Sequence, residues 1–484
     1  FFEMSRPHVG IIGGGVAGAT AALVLAEAGC RISLFEQKNS LIDGPPICHL
    51  HAGGNLYREI SDEQCVTLLL QSIETVKYYP HILNTRPTVI AVPIHDPHDP
   101  LSLLPRLKLI QSTYQKLVQQ DPTNEVLGNP RDYFKIYSEQ QLLRLRERST
   151  PVRAVEPDDW MIPVAKNLDM TKLKFPLVLV QEYGLSWLRL ASTVDLALSK
   201  IPDVQICCST KVIGIEDNQN RWTIHHNNDK HETNSTSVDY LVNACGFQTG
   251  TIDDWIKAPR ERWVEFKAAY VSVWDNCEGQ WPEVIFHGER GTPKGMAQLT
   301  PYANGYFQLH GMTKEITLFE DGLAESSESS AQPKLPDPLL KNIFNGWSPQ
   351  DIQTRTEKAV RHMAQFIPAF ATAKIGSKPL FGAQQIPGRD ASLRAADVSF
   401  EGSNYARLEI VKASSAYAAA QKILSHLKES SSFSFQTQSP ISHIRMGLTQ
   451  AQVVCRGVEI AQERNYPPAL AEIAGQSTNL RSHL

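Results

Sequence analysis

The chain has 484 residues, more than one hydrophobic core usually supports, so two or three domains are expected. Its 42% hydrophobic and 20% charged residues are typical of a soluble globular protein, and its net charge of −4 does not indicate a nucleic-acid surface. No apolar run is long enough to span a membrane and no secretory signal is recognised, so the eight scattered cysteines are expected to be reduced thiols in the cytoplasm.

The stretch from Val9 to Glu36 predicts a strand, a glycine turn, an Ala-rich helix and a second strand. Its G-x-G-x-x-G pattern consists of Gly13, Gly15 and Gly18. In a dinucleotide-binding unit the first glycine permits the tight turn, the second lets the backbone approach a pyrophosphate, and the third lets the helix pack on the sheet. The helix N-terminus, where we include Ala17 in the site, offers unpaired N–H groups and a positive dipole end.

Glu36 ends the second strand, 18 residues after Gly18. A carboxylate at this position can accept a hydrogen bond from a ribose 2′-OH, and it would repel a 2′-phosphate, so NADP is disfavoured. The next residue, Gln37, is assigned to the same site. A chance glycine turn is the alternative, but the two strands, the glycine pattern and the acid together favour a dinucleotide site.

Residues 44–55 are rich in glycine and proline and predict a loop. With the glycine pattern and Glu36, the run His51-Ala52-Gly53-Gly54 resembles FAD-dependent oxidoreductases of the D-amino-acid oxidase superfamily, such as glycine oxidase, sarcosine oxidase and dimethylglycine dehydrogenase. In that family this loop runs beside the isoalloxazine ring. Dimethylglycine-dehydrogenase-like members have an H-A-A-G run whose histidine is bonded to the flavin, so the resemblance implies flavin contact here and a covalent or non-covalent link at His51.

The residues Cys48, His49 and His51 also suggest a metal site. Three potential ligands within four residues cannot easily converge on one ion, and no second cluster lies nearby in the sequence. We therefore predict no metal, and an ordinary loop role for His49.

A second set of motifs resembles the same family. Thr210 to Val212 resembles the stretch whose valine backbone hydrogen-bonds adenine, which implies that role for Val212. Residues 239–246 resemble the family's D-x-V-V-N-A-x-G, in which a strand ends beside the pyrophosphate, and this implies cofactor contacts for Ala244 and Gly246. The second motif favours FAD over NAD, although an ordinary buried strand ending at glycine is the alternative.

Residues 256–320 alternate between polar and apolar positions as an antiparallel sheet should. The run Gly311 to Thr313 resembles the family's x-x-G-x-T, which implies that His310 or Gln308 faces the substrate. A histidine at a strand end is also commonly structural, so both roles remain open. Residues 321–338 are rich in Ser, Glu and Pro and predict an exposed, mobile insertion.

The chain departs from the family in two places, one before the last βα unit and one within it. The arginine of the family's G-x-R-P is Gln384 here, and its proline is Gln385. The glycine-rich turn before the final helix is replaced by a run that contains Lys412. The resemblance implies that Lys412 places a positive charge where it stabilises N1/C2=O of the reduced flavin, and a solvated lysine is the alternative.

The resemblance covers most of residues 8–428 and implies an α/β fold of the D-amino-acid oxidase or glutathione-reductase type, with a Rossmann-like FAD-binding domain and a second domain built on a mixed or antiparallel sheet. The predicted boundaries are an FAD-binding domain at 5–60, 190–255 and 380–428, a substrate domain at 61–189 and 256–379, and a Ser-rich linker with a helical tail at 429–484.

The implied reaction is hydride transfer from a C–H next to an amine to flavin N5, with FAD as cofactor, a small-molecule substrate, and oxygen or quinone as acceptor. The candidate catalytic residues are His51, His310 and Lys412. One alternative is a 2-hydroxy-acid dehydrogenase of malate:quinone type, which needs a histidine base and a peripheral membrane contact. Another is a flavoprotein partner whose C-terminal tail docks a second polypeptide.

Overall fold

A computed structural model describes residues 5–44, 48–50, 60–430, 432–435 and 441–476. The strands are β1 His8–Ile12, β2 Arg31–Phe35, β3 Leu83–Asn84, β4 Thr88–Pro93, β5 Phe134–Tyr137, β6 Leu173–Val180, β7 Gly184–Leu185, β8 Val204–Cys207, β9 Lys211–Asn218, β10 Arg221–Asn227, β11 Thr233–Val238, β12 Tyr240–Asn243, β13 Arg262–Val273, β14 Glu283–Phe286, β15 Ala297–Pro301, β16 Tyr306–Gly311, β17 Leu323–Glu325, β18 Lys374–Ile375, β19 Leu380–Pro387, β20 Val398–Glu401 and β21 Tyr405–Leu408.

The helices are α1 Val16–Glu27, α2 Asp62–Tyr78, α3 Leu104–Gln120, α4 Glu139–Arg146, α5 Pro157–Asn167, α6 Trp187–Leu198, α7 Thr249–Trp255, α8 Asp337–Asn345, α9 Pro349–Ala364, α10 Ala416–Lys428, α11 Ser442–Met446 and α12 Gln450–Glu463. This mixture of helices and strands confirms the predicted α/β class. None of the helices in the described ranges is both long and apolar enough to cross a membrane.

The first sheet has six strands in the order β20-β21-β12-β1-β2-β8, and all of its pairs except β20–β21 are parallel. Its central strand β1 is an apolar run because both faces of the sheet are covered. Helices α1, α6 and α10 share a core on one face, and the three-stranded antiparallel sheet β11-β10-β9 packs on the other. The carboxyl ends of β1 and β12 meet at one edge, which is where such sheets bind ligands.

Helix α1 is apolar on all sides because it lies between the first sheet and the helices outside it. It has Gly15 at its N-cap, with no side chain to satisfy the first N–H groups. After α1, Gly29 has φ +96°, the left-handed conformation that ends many helices.

The second sheet has ten strands. Its main order is β17-β13-β16-β15-β14-β4-β6-β5, and β18 and β19 also pair with β13. The β14–β4 pair is parallel while the others are antiparallel, so the sheet is mixed, as predicted. One face packs against α4, α5 and α9 in a separate apolar core. The other face is apolar on β4 and β6, where Ile90, Val178 and Val180 join the core of the first sheet, and it carries polar side chains on β14, β15 and β16.

The prediction of an exposed insertion at residues 321–338 is only partly right: residues 327–329 are exposed, but the segment is attached to the rest of the chain at several points. Within it, β17 pairs with β13, and the fully buried Arg262 donates from Nη1 to the carbonyl of Ala331 at 3.0 Å. Leu335 is also buried, in an apolar cluster with α8. The composition suggested a solvated segment because the segment has few apolar side chains. Those that pack against the rest of the chain are widely spaced among polar residues.

The C-terminal tail, which we define as residues 441–476, packs against its own chain. Its apolar residues join the core formed by α1 and α6, and Ser192 Oγ of α6 donates to the carbonyl of Val453 at 2.7 Å. Docking on a second polypeptide is therefore not needed to explain the apolar side chains of α12. The predicted domain boundaries themselves stay a proposal.

Candidate active site

Gly13, in the turn after β1, and Gly18, in the first turn of α1, have no room for a Cβ. Gly13 has φ +98°, and a Cβ there would lie 2.1 Å from the carbonyl oxygen of Ala244, at the end of β12. A Cβ on Gly18 would lie 1.9 Å from the carbonyl oxygen of Gly13. The turn, the start of α1 and the end of β12 are therefore in direct contact, as the sequence predicted from the spacing of the glycines.

Gly15 and Gly246 border open space. A Cβ built on either of them meets no atom within 4 Å, and Gly246 has φ +58°. Gly13, Gly15 and Ala17 are all partly exposed, whereas Gly18 is buried. The first N–H groups of α1 thus border a space that protein atoms leave open, which is the arrangement that suits a phosphate group.

The Glu36 carboxylate lies beside this turn. Its Oε1 accepts from the N–H of Gly14 at 3.0 Å, and its Oε2 accepts from the N–H of Lys38 at 2.8 Å. The N–H of Thr210, two residues before Val212, donates to the Glu36 carbonyl at 2.9 Å. Gln37, which is exposed, donates from Nε2 to Gln248 Oε1 at 3.0 Å. The predicted residues Glu36, Gln37 and Val212 therefore lie near one another, although they are far apart in sequence.

The second sheet carries a row of polar side chains on the face away from its apolar core. These side chains belong to Glu283 of β14, Gln298 and Thr300 of β15, and Gln308 and His310 of β16. Gln298 pairs with His310, and Thr300 pairs with Gln308, so they form two adjacent cross-strand rows. The intervening residues of the same strands are apolar and belong to the core on the other face, namely Val284, Leu299 and Leu309.

His49 lies over this polar face and joins the first polar row. Residues 48–50 are held by the N–H of Leu185, which donates to the Cys48 carbonyl at 3.1 Å, and by a bridge between His49 and Gly184. His49 Nε2 donates to Glu283 Oε1, which also accepts from the side-chain amide of Gln298. The predicted ordinary loop role of His49 is therefore wrong, since its ring forms an ion pair with a buried carboxylate. The sequence did not indicate this pair because Glu283 is 234 residues away.

Glu283 is ionised and His49 is protonated in this arrangement. The Glu283 side chain is 1% exposed, and burial would raise its pKa, but Arg86, at 2.8 Å, and His49 lower the pKa to about 2. Burial would likewise lower the pKa of His49, but Cys48 and Glu283 raise it to about 10. Arg86 is anchored by donating from Nη1 to the Glu182 carbonyl at 3.0 Å.

The other ring nitrogen of His49 faces a thiol. Cys48 Sγ lies 2.9 Å from His49 Nδ1, and it accepts from Gln308 Nε2 at 3.3 Å. The Gln308 amide oxygen accepts in turn from the hydroxyl of Tyr302. Both sides of the imidazole are therefore fixed, and the ring is held in one orientation over the sheet.

His310 lies next to His49, with ring centroids 6.4 Å apart. Its Nδ1 is shielded from solvent and has no hydrogen-bond partner among the described residues. The pKa of His310 is lowered to about 3, mainly by burial. The positive charges of His49, Lys267 and Lys412 lower it further. The structure therefore brings a protonated histidine and a neutral histidine together on one face.

Lys412 precedes the 3-10 turn Ala413–Ser415 that leads into α10, and its side chain is half-buried. The turn is fixed to α2 because Thr75 Oγ1 donates to the Ser414 carbonyl at 2.9 Å. Because the charge of Lys412 contributes to the low pKa of His310, the two predicted catalytic residues share one electrostatic environment.

The two glutamines that replace the family's arginine and proline have structural contacts. Gln384 Nε2 donates to the Val411 carbonyl at 2.6 Å, and its Oε1 accepts from Lys267 Nζ at 3.2 Å. Gln385 Nε2 donates to the Leu408 carbonyl at 3.1 Å. Lys267, on the neighbouring strand β13, therefore supplies a positive charge close to the position of the missing arginine.

The remaining predicted residues, His51, Ala52, Gly53 and Gly54, lie outside the described residues. Residues that the sequence reasoning missed are His49, Glu283, Arg86 and Gln298. The signal that could have found Gln298 is the alternation of β15 and β16, where the polar positions of two neighbouring strands carry amides and a histidine.

Comparisons with known proteins agree with this geometry. A family model described as an NAD(P)-binding Rossmann-like domain matches residues 11–42. No curated protein sequence matches the chain. The L-amino acid deaminase of Proteus vulgaris is similar in structure over 91% of this chain and 97% of its own, with 12% identity and a TM-score of 0.58.

Two further solved structures are similar. Glycerol-3-phosphate dehydrogenase from Bacillus halodurans, complexed with FAD, has 13% identity and a TM-score of 0.56 over 96% of this chain and 74% of its own. Glycine oxidase from Geobacillus kaustophilus has 12% identity and a TM-score of 0.54 over 89% of this chain and 97% of its own. The chain therefore has the fold of these solved structures, and its predicted similarity to glycine oxidase is confirmed for the fold.

Proposed function

We propose that this protein is an FAD-dependent oxidoreductase that oxidises a C–H bond next to an amine of a small molecule. The observation that carries the proposal is the open space beside Gly15 and Gly246, at the edge where β1 and β12 end. The fold agrees, because the similar glycerol-3-phosphate dehydrogenase is complexed with FAD.

The residues around this space have the chemistry that FAD needs. The N–H groups at the start of α1 suit the pyrophosphate, and the Glu36 carboxylate suits the ribose hydroxyls. When bound, FAD would accept the hydride, and the protein would supply position and charge. The residues we assign to the cofactor are Gly13, Gly15, Ala17, Gly18, Glu36, Gln37, Val212, Ala244 and Gly246, with His51, Ala52, Gly53, Gly54 and Lys412 beside the flavin ring.

The polar face of the second sheet is the proposed substrate site. His49 is protonated and held by Glu283, so it can donate a hydrogen bond to a substrate oxygen or carboxylate. His310 is neutral and can accept a proton. Lys412 is assigned the stabilisation of negative charge on the reduced flavin.

The neutral His310 also favours a second candidate, the oxidation of a 2-hydroxy acid. A hydroxyl group must lose its proton when the neighbouring C–H gives up a hydride, and a positioned base accelerates that step. A free amine needs no such base, because its nitrogen lone pair is already available. The fold does not distinguish these candidates, since both glycine oxidase and glycerol-3-phosphate dehydrogenase share it.

We propose a cytoplasmic location, where the free cysteines would stay reduced. The electron acceptor in this proposal is oxygen or a quinone. A quinone acceptor would require contact with a membrane surface. Peroxide formed during aerobic turnover would indicate oxygen, whereas reduction of a soluble quinone without peroxide would indicate the other acceptor.

The test is to purify the protein, identify its flavin, and follow flavin bleaching without oxygen against a panel of amines, amino acids and 2-hydroxy acids. We expect one FAD per chain and bleaching by one chemical class. A colourless protein that does not bind added FAD would overturn the proposal.

Acid precipitation tests whether FAD is covalently linked at His51. Flavin that stays with the precipitated polypeptide in the wild type, but not in His51→Ala, would show a covalent link. Free FAD in the supernatant of the wild type would show that the flavin is bound non-covalently.

A further inference from the structure

One arginine of the C-terminal tail binds the loop that follows β2. Arg464, immediately after α12, donates from Nη1 to the carbonyl of Ile42 at 2.8 Å and from Nη2 to the carbonyl of Leu41 at 2.7 Å. Its Nη2 also lies 3.1 Å from Ser40 Oγ. The Arg464 side chain is only 8% exposed, so a single guanidinium is buried against three consecutive residues.

The loop that Arg464 binds is strained. Ile42 has φ +54°, a left-handed conformation that is unfavourable for a β-branched residue, and its side chain is buried. Such a conformation persists only where the surrounding contacts hold it. Here the contacts are the guanidinium of Arg464 on the carbonyl side and, on the other side, the N–H of Ile42, which donates to the carbonyl of Gly14 at 2.8 Å.

The contacts continue from the loop into the glycine turn. A Cβ on Gly14 would lie 2.5 Å from Leu41 Cδ2 and 3.2 Å from Glu36 Cβ, so Gly14 is packed between Leu41 and Glu36. The N–H of Gly14 donates to the Glu36 carboxylate. A continuous set of hydrogen bonds and packing contacts therefore connects Arg464 to Glu36 of the proposed FAD site and to Gly14, which lies between the assigned Gly13 and Gly15.

The tail has independent attachments on both sides of Arg464. Arg445 forms an ion pair with Glu27 of α1 at 2.8 Å. Beyond α12, the fully buried Arg189 of α6 donates to the carbonyls of Ala471 at 3.1 Å and Glu472 at 3.2 Å. Contacts of the tail on both sides of Arg464 therefore hold this arginine in place against residues 40–42.

We propose that the docked tail is a retention element for FAD, and that Arg464 is a positioning residue that holds Gly14 and Glu36 through the strained loop 40–43. This inference rests on the proposed FAD site. Coupling between two sites is reciprocal, so FAD binding should also stabilise the docked tail.

The first test measures the Kd of FAD for the deflavinated full-length protein by flavin fluorescence. Arg464→Gln should raise the Kd about tenfold or more, because hydrogen bonds from a charged group are among the stronger ones in proteins. Arg464→Lys should fall between the wild type and Arg464→Gln, since an ammonium cannot span the same acceptors. The matched control is Arg456→Gln on α12, whose arginine pairs with Asp195 on the surface and should leave the Kd unchanged.

The second test uses hydrogen exchange, and its first comparison needs only the wild-type chain with and without FAD. FAD should slow exchange in α12 several-fold more than in α4, which lies on the other sheet, and this difference should shrink in Arg464→Gln. Equal Kd values for wild type and Arg464→Gln, or no selective effect of FAD on α12, would overturn the inference while leaving the FAD site intact. A wild type that binds no FAD would instead refute the proposed function itself, and the inference with it.

Discussion

His49 forms a buried ion pair with Glu283, the first residue of β14. The pair connects residues 48–50 to the polar face of the second sheet. Arg86 neutralises the same carboxylate from a third segment. Because three segments far apart in sequence depend on one carboxylate, the pair determines how the loop that carries His49 lies on the polar sheet face.

Replacing Glu283 should destabilise the protein strongly. Glu283→Gln leaves the charges of Arg86 and His49 without their buried counterion, and breaking such a pair typically costs about 3–5 kcal/mol. The free energy of unfolding, measured with urea, should fall by about this amount. Glu401→Gln is the control, because Glu401 also pairs with an arginine but is 50% exposed, and it should change stability by less than about 1 kcal/mol.

The stabilisation from this pair should depend on pH with a defined sign. The pKa of Glu283 is lowered from 4.5 to about 2, so its contribution is complete above pH 4.5 and is lost as the pH falls through about 2. The pKa of His49 is raised from 6.5 to about 10, so its contribution is complete below pH 6.5 and is lost as the pH rises through about 10.

The difference in unfolding free energy between wild type and Glu283→Gln should therefore be largest between pH 4.5 and 6.5 and should decrease towards pH 10. Urea titrations across this range measure it. A difference that stays constant from pH 6.5 to 10 would show that His49 is not a protonated partner of Glu283.

Two glycine substitutions should separate cofactor binding from folding. Gly15→Val places a side chain in open space, so the protein should fold with an unchanged Tm in the absence of cofactor but purify without FAD. Gly18→Val forces a Cβ to within 1.9 Å of a carbonyl oxygen and should lower the Tm or prevent folding. Thermal unfolding and flavin content measure the two effects, and a Gly15→Val protein with normal FAD content would argue against the assigned pyrophosphate site.

Lys412→Met should make the flavin harder to reduce. The substitution keeps the aliphatic stem and removes the charged hydrogen-bond donor. A hydrogen bond from a charged group contributes about 1.5–3 kcal/mol. For a two-electron reduction, about 1.4 kcal/mol corresponds to a change of about 30 mV in midpoint potential. The midpoint potential should therefore shift by tens of millivolts to more negative values, with little change in FAD content. Lys422→Met is the control on α10, since Lys422 forms a surface ion pair with Asp397. Equal potentials for Lys412→Met and wild type would favour a solvated lysine.

The glycine turn could be predicted from sequence because its determinants are local. Gly13, Gly15, Gly18 and Glu36 lie within one βαβ unit, where spacing alone fixes geometry. His49 could not be predicted in the same way. Its role depends on Glu283, and the register of β14 against β4 decides which face that carboxylate occupies.

The alternating residues of β15 and β16 show which features of the site can be predicted from periodicity and which cannot. Alternation correctly predicted strands with two different faces, and the motif before Gly311 indicated His310 or Gln308. It could not identify which elements lie over the polar face, because the contact from Cys48 to Gln308 joins residues 260 positions apart. Composition likewise misjudged residues 321–338, because one buried arginine, Arg262, fixes that segment from another strand.

The most direct test of the central claim is the rate of flavin reduction by substrate in the absence of oxygen, compared between wild type and His310→Ala. If the substrate is a 2-hydroxy acid, removing a positioned base should slow the bleaching of bound FAD by about 10²–10⁴-fold. If it is an amine, whose free form needs no base, the loss of a side chain beside the substrate should raise the substrate concentration that gives half-maximal bleaching. FAD content and the Tm should stay near those of the wild type, because Nδ1 of His310 has no hydrogen bond to lose among the described residues. A His310→Ala protein that bleaches with both the rate and the half-saturating substrate concentration of the wild type would contradict the assignment of the polar sheet face as the active site.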